Sequence, residues 1–194
     1  MKHFELNGQV RQKGNKAVIK AFRRQGLVPC NLYGQGMDNV LFTVNAKELK
    51  GLTNTPDSFI VDLVLDGKKY VAVAHEYQWH PVTDECLHVD FLAVSEDKPI
   101  AIDVPLNLTG HPVGVRAGGK FTQLLRSIRV SGLMKDLPDV LDIDITPLGL
   151  DKRLTVGELS FEKISILTPK TAIICRVKTT RAMQQAAAEA ESAE

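Results

Sequence analysis

Asp66-Gly67 stands between two runs of β-forming residues, 59–65 and 68–74. An Asp-Gly pair in that setting is the favoured two-residue hairpin turn, because both central positions need positive φ. It commits the first half of the chain to antiparallel sheet. Other short runs fit the same plan. Residues 5–11 read as a strand with apolar Leu6 and Val10, interrupted at Gly8. Pro29 forces extended backbone at Val28, and Gly34 and Gly36 break the run after Tyr33. Residues 40–44 and 85–94 read as two further strands.

Two helices interrupt this pattern. In KGNKAVIKAFRRQG, Ala17, Val18, Ala21 and Phe22 recur at helical spacing, and Gly26 is placed to end the helix. Lys16, Lys20, Arg23 and Arg24 follow steps of three and four, so they gather on or beside one face. The reading is that the apolar face packs and the basic face is left to meet phosphates. A solvated helix face looks the same in sequence. Asn45, with Glu48 three residues on, opens a second short helix that Gly51 closes.

SEDKP at 95–99 separates two apolar runs and suggests a boundary. Beyond it, runs at 100–108, 127–131, 140–145 and 172–177 alternate with Gly and Pro, as expected of a mainly β second domain. The expected domains are 1–95 and 96–180, followed by an Ala/Glu-rich tail at 181–194 with no apolar stripe, read as a frayed helix or disorder. The fold class is mainly β with short helices (α+β).

No stretch approaches the roughly 18 apolar residues of a membrane-spanning helix, and MKHFELNGQV lacks the apolar core of a secretory signal. Three scattered cysteines make no disulfide framework. A reducing, cytoplasmic location is expected. The net charge of +1 conceals an uneven distribution: residues 1–36 carry seven bases against one acid, and residues 37–95 carry four bases against nine acids. A concentrated basic end can attract a polyanion locally, since exposed charges are screened beyond about 8–10 Å.

Catalytic signatures are weak. His75, His80, His88, Cys86 and Asp90 match no zinc spacing, although Cys86, His88 and Asp90 would share one face of a strand over 85–94. Cys30 follows a proline in an apolar context and reads as a small buried hydrophobe. The glycine-rich stretch 110–119 is neither a Walker loop nor a dinucleotide loop, and reads as a connection with special backbone angles. No catalytic residue, metal or cofactor is expected. Nucleic-acid binding fits better: the basic helix offers phosphate contacts, Tyr33 an aromatic on a glycine-broken turn, and His88 and Asp90 side chains that can meet base edges or 2′-hydroxyls. Asp beside phosphate is repelled, so Asp90 makes sense as an acceptor for a base amino group or as a clamp on an Arg.

Several motifs together resemble one family. Lys20-Ala-Phe-Arg-Arg-Gln-Gly-Leu-Val-Pro-Cys-Asn-Leu-Tyr-Gly34 and His88-Val-Asp-Phe91 are similar to the two signatures of bacterial large-subunit ribosomal protein twenty-five. Val104-Pro-Leu-Asn-Leu-Thr-Gly, Gly114-Val-Arg-Ala-Gly-Gly119, Asp142-Ile-Asp-Ile-Thr-Pro-Leu and Leu154-Thr-Val-Gly-Glu-Leu159 resemble the extra domain of its long form, the general stress protein CTC family. The likeness covers roughly residues 3–178 in order.

The resemblance implies an N-terminal six-stranded β-barrel-like domain, akin to the anticodon-binding domain of glutaminyl-tRNA synthetase, that binds the loop E region of 5S rRNA. Carried over by motif, the RNA-binding set is Arg11, Lys16, Lys20, Arg23, Arg24, Tyr33, Gln78, His88 and Asp90. Two departures stand out. The family's G-K-G-[AS] run reads Gly14-Asn-Lys-Ala17 here, and Lys20-Ala21 stands where two arginines are common. The implied setting is the cytoplasmic ribosome, with 5S rRNA and the large subunit as partners, no membrane, and a monomer off the ribosome. In the C-terminal domain the charges are spread along the sequence and nothing reads as a second RNA site. Arg116, Lys120, Arg126 and Arg129 are placed there to meet ribosomal neighbours or solvent. The alternatives are a protein–protein adaptor with incidental RNA affinity and a metal-dependent hydrolase built on Cys86, His88 and Asp90.

Overall fold

The computed structural model describes residues 2–34, 36–55, 57–95, 98–161 and 163–180. The expected tail at 181–194 lies outside them, as do residues 96 and 97 of the expected boundary. The chain separates into two compact units: residues to 102 together with Leu133–Asp139, and Asp103–Gly132 with the residues from Val140 onward.

In the first unit six strands close a barrel. The elements run β1 (Lys2–Val10), α1 (Lys16–Arg24), β2 (Leu27–Gly34), β3 (Met37–Asn45), α2 (Ala46–Thr53), β4 (Phe59–Leu65), β5 (Lys68–Trp79) and β6 (Cys86–Ala93). Around the barrel the order is β1-β3-β2-β6-β5-β4, so β1 pairs in parallel with β4 and β2 in parallel with β6. The expected hairpin forms β4–β5, with Asp66 at φ 47° and Gly67 at φ 83°. Gly8 sits where β1 meets both neighbours, opposite Val44 and Leu65. A Cβ there would come within 2.7 Å of Leu65 and 2.8 Å of Phe42, so the interruption in the first strand is what lets the barrel close.

Inward positions of every strand fill the interior: Leu6, Cys30, Leu32, Phe42, Val61, Leu63, Ala72, Val89 and Phe91 are fully buried. The Phe42 and Phe91 rings lie 5.7 Å apart. α2 adds Leu49 and Leu52. It runs past Gly51 to Thr53, against the expected stop, because Gly51 at a helical φ/ψ costs only about 1 kcal/mol and Leu52 gains burial.

α1 differs from expectation in its packing. Asn15 caps it, accepting from the Val18 N–H at 3.2 Å, and Gly26 follows at φ 76°. None of its residues is fully buried. Ala17, Val18 and Ala21 are exposed, and only Ile19 and Phe22 are half-buried. The helix rests on the barrel by that narrow i, i+3 edge.

The second unit is also β. β7 (Ile100–Thr109), whose first three residues group with the barrel unit, pairs in parallel with β10 (Leu141–Asp144). With β9 (Ser127–Gly132) and β12 (Ser165–Ile166) they make a sheet of order β10-β7-β9-β12. A three-stranded sheet joins β11 (Arg153–Thr155), β13 (Ile173–Lys178) and β8 (Lys120–Gln123), with β13 in the centre. β8, β11 and β12 are absent from the sequence reading, being two to four residues long. The glycine-rich connection holds a four-residue helix, α3 (Val113–Arg116), between Gly110 at φ 87° and Gly118 at φ 93°.

Candidate nucleic-acid interface

The β5–β6 ladder slips twice, and both slips shape its outer face. On β5 the pairing passes from Ala74–Phe91 to Glu76–Asp90, leaving His75 as the extra residue. On β6 it passes from Gln78–His88 to Trp79–Cys86, leaving Leu87 as the extra residue. A bulge of this kind breaks the alternation of faces. Cys86 therefore does not share a face with His88 and Asp90, as a regular strand over 85–94 would require. It packs against the barrel core, and burial pushes its thiol pKa up.

Between the bulges lies a compact polar set. Gln78 is directly opposite His88, and Glu76 is opposite Asp90. On the other side of β6, Asn31 of β2 is in register with Asp90. His88 Nδ1 stands 3.6 Å from Asp90 Oδ2, too far for a hydrogen bond, and is buried without a hydrogen-bond partner among the described residues. Burial lowers the His88 pKa below 6.5; Asp90 and Glu76 oppose that shift, while Arg11 and Arg23 add to it. His88 is thus held neutral near pH 7. Tyr33 reaches the same face, its hydroxyl 3.4 Å from His75 Nδ1. Burial, with Asp90 and Glu76, raises its pKa, so the phenol keeps its proton. Arg11 lies at the end of β1, where its Nε donates to the Phe42 carbonyl at 3.3 Å.

The bulge at Leu87 also explains how α1 is held. The Leu87 carbonyl accepts from Arg23 Nε at 3.2 Å and from Nη2 at 2.9 Å. Arg23, expected as an RNA contact, is exposed, and the two nitrogens it gives to the β6 backbone tie the helix to the barrel. Lys16, Lys20 and Arg24 remain exposed, and no hydrogen bond or ion pair engages their side chains among the described residues. The structure therefore brings Arg11, Arg23, Tyr33, Gln78, His88 and Asp90 around one barrel face. The other three bases stand on the helix that Arg23 docks beside it.

Three residues of this face were missed from the sequence. Asn31 is two positions before Tyr33, and its Oδ1 is buried with no partner. Glu76 is two before Gln78. Both follow by alternation from residues already singled out. His75 joins only through its bulge, which no sequence signal marks. His80 is a structural residue: its Nδ1 accepts the N–H groups of Val82 and Thr83, at 3.3 and 3.2 Å, and shapes the β5–β6 turn. Among the described residues no group of three or more His, Cys, Asp or Glu side chains is placed to hold a metal ion.

Comparison with known proteins settles the relationship. The model of the Ribosomal L25p family matches residues 6–91, and that of the ribosomal protein TL5 C-terminal domain matches residues 99–181. A protein named "Large ribosomal subunit protein bL25" from Porphyromonas gingivalis is 42% identical over 188 residues, 96% of this chain and 98% of that protein. Its namesake from Bacteroides thetaiotaomicron is 43% identical over 195 residues, 98% and 99% of the two chains. The chain belongs to the bL25 family. With both family domains present it is a long-form member, and the two matched segments cover the barrel and the second β region in order. The bL25 protein of Phocaeicola vulgatus, 44% identical over 196 residues, likewise extends over 98% of this chain and 99% of its own length.

Proposed function

We propose that the chain binds 5S rRNA in the loop E region through the outer face of β2, β5 and β6, with α1 supplying phosphate contacts. Membership of the bL25 family carries the coarser part: a structural, non-enzymatic protein of the large ribosomal subunit, working in the cytoplasm on the ribosome.

One observation supports the finer reading most. A neutral imidazole, a carboxylate, a carboxamide and a phenol (His88, Asp90, Gln78, Tyr33) share one barrel face directly beside exposed bases on a docked helix. A surface built only for phosphates would not carry two carboxylates. Asp90 and Glu76, placed opposite one another, repel phosphate and suit the amino edges of bases. Exposed non-Watson–Crick base edges in a wide minor groove would meet such a set.

Titration of the full chain with 5S rRNA against a transfer-RNA competitor, at several salt concentrations, tests the reading. Selective binding with a log–log salt slope of roughly −3 to −5, as about five neutralised phosphates would give, is the expected result. Weak binding that the competitor abolishes would replace it with the adaptor reading.

A further inference from the structure

The three-stranded sheet of the second unit places like charges directly opposite one another. Arg153 of β11 faces Arg176 of β13, and Lys120 of β8 faces Lys178 of β13. Arg176 and Lys178 are two apart on one strand, so all four project from the same side, with Thr122 completing the Arg176 row. The opposite side carries buried Cys175 and Val177. Facing residues of an antiparallel pair have Cβ atoms about 5 Å apart, where like charges destabilise the sheet.

Nothing among the described residues relieves that repulsion. None of the four side chains is hydrogen-bonded or ion-paired there, and Arg176 Nε is buried without a partner. Asp151, two residues before Arg153, has its Oδ1 turned to Thr179, whose N–H donates at 3.2 Å. A Lys or Arg on an edge strand has an ordinary use in blocking edge-to-edge pairing. That accounts for Lys120 and Arg153, since β8 and β11 are edges, but not for Arg176 and Lys178 on the central strand.

We propose that this face is a second RNA-binding surface, which takes the phosphate backbone of ribosomal RNA without reading sequence. A set of cations that costs stability in the free protein is relieved when phosphates enter between them. Their spacing, about 5 Å across strands and nearly 7 Å along one, suits a chain of closely repeated negative charges. The face has no carboxylate and no aromatic in its two rows, so it lacks the base-reading groups of the barrel face. RNA is favoured over an acidic protein or a lipid surface because the chain belongs to a ribosomal family. Its two charged rows carry Thr122 and no apolar side chain to insert into lipid; Ile174, next on the same side of β13, is fully buried, and only Leu124, just past β8, is an exposed apolar neighbour.

The test compares the full chain with two double variants, Lys120→Gln with Lys178→Gln and Arg153→Gln with Arg176→Gln, each titrated with purified large-subunit rRNA over a range of salt. Each pair of neutralisations should flatten the log–log slope by about 1.5, at 0.7–0.9 per phosphate contact, and weaken binding alike for every RNA. Melting temperatures should hold or rise, since repulsion is removed. The exposed lysine pair keeps the test sound if the arginine variant folds poorly. Unchanged slopes in both would overturn the proposal. So would loss of binding to anionic phospholipid vesicles with RNA binding intact, which would assign the face to lipid. The preference for 5S rRNA over transfer RNA should survive in both variants. Its absence from the unmodified chain would overturn the barrel reading alone.

Discussion

At His88 two carboxylates and two guanidiniums contend over one half-buried imidazole, and burial decides the outcome toward the neutral form. A histidine whose folded pKa is lowered contributes stability that is fully present above its unfolded pKa of about 6.5. That contribution is lost as the pH falls through the folded pKa, because the unfolded state takes up the proton first. Ring resonances followed by NMR should therefore titrate below 6.5. Asp90→Asn should lower the value further by removing an anion, and Arg11→Gln should raise it by removing a cation. A His88 pKa above 6.5 would mean that Asp90 outweighs burial. The neighbouring residues divide by role in the same way. Asp90→Ala should cost roughly 1–3 kcal/mol of discrimination for the 5S target, by analogy with base readout in DNA, whereas Lys20→Ala should weaken all RNAs alike and flatten the salt slope by about one. Equal losses on 5S rRNA and transfer RNA for Asp90→Ala would remove its base-edge role. His88 and Asp90 were legible together because alternation in a strand is regular. Cys86 was misplaced because the extra residue at Leu87 leaves no mark in composition.

Among the elements, α1 shows how lightly a helix can be anchored. Nine residues are too few for a stable isolated helix, and α1 buries none of them fully. The Asn15 cap, the half-buried edge of Ile19 and Phe22, and the two bonds from Arg23 to the Leu87 carbonyl hold it in place. Arg23→Lys keeps the charge but loses the planar fork. It should reduce the helix's protection from hydrogen exchange by about 1 kcal/mol, the typical worth of such hydrogen bonds. The salt slope for RNA should change little, and β2–β6 should stay protected. In Arg23→Gln, which removes the charge as well, a slope flattened by a full unit with helix protection unchanged would make Arg23 a phosphate contact instead. The end of this helix was readable from Gly26 and its course from the basic steps, whereas its Asn15 cap was not picked out. Its packing edge was not, since Ala17, Val18 and Ala21 fit a helical apolar stripe as well as Ile19 and Phe22 do, and only the barrel surface chooses between them. The short strands β8, β11 and β12 show the same limit: two to four residues hold too little alternation to register, and their partners lie far along the chain.

For the whole molecule, a net charge of +1 hides two cationic surfaces of different kinds. The N-terminal one could be read from sequence because its bases are close in the chain and fall on one helix. The second is gathered from residues 120, 153, 176 and 178, which only cross-strand register brings together. Each surface should add its own share to the electrostatics of binding. Lys16 and Lys20 belong to one compact unit and the four sheet cations to the other, and effects at independent sites add. Neutralising Lys16 and Lys20 should flatten the slope for large-subunit rRNA containing the 5S species by roughly 1.5, and neutralising the four sheet cations by about 3. The chain carrying all six changes should then lose the sum, about 4.5, and keep only the salt dependence that Arg11 and Arg24 supply. It should keep whatever 5S preference Tyr33, His88 and Asp90 provide, because base-edge contacts are not counted in released ions. A combined loss well below the sum would show that both sets compete for the same phosphates, and that the chain presents one cationic surface to RNA rather than two.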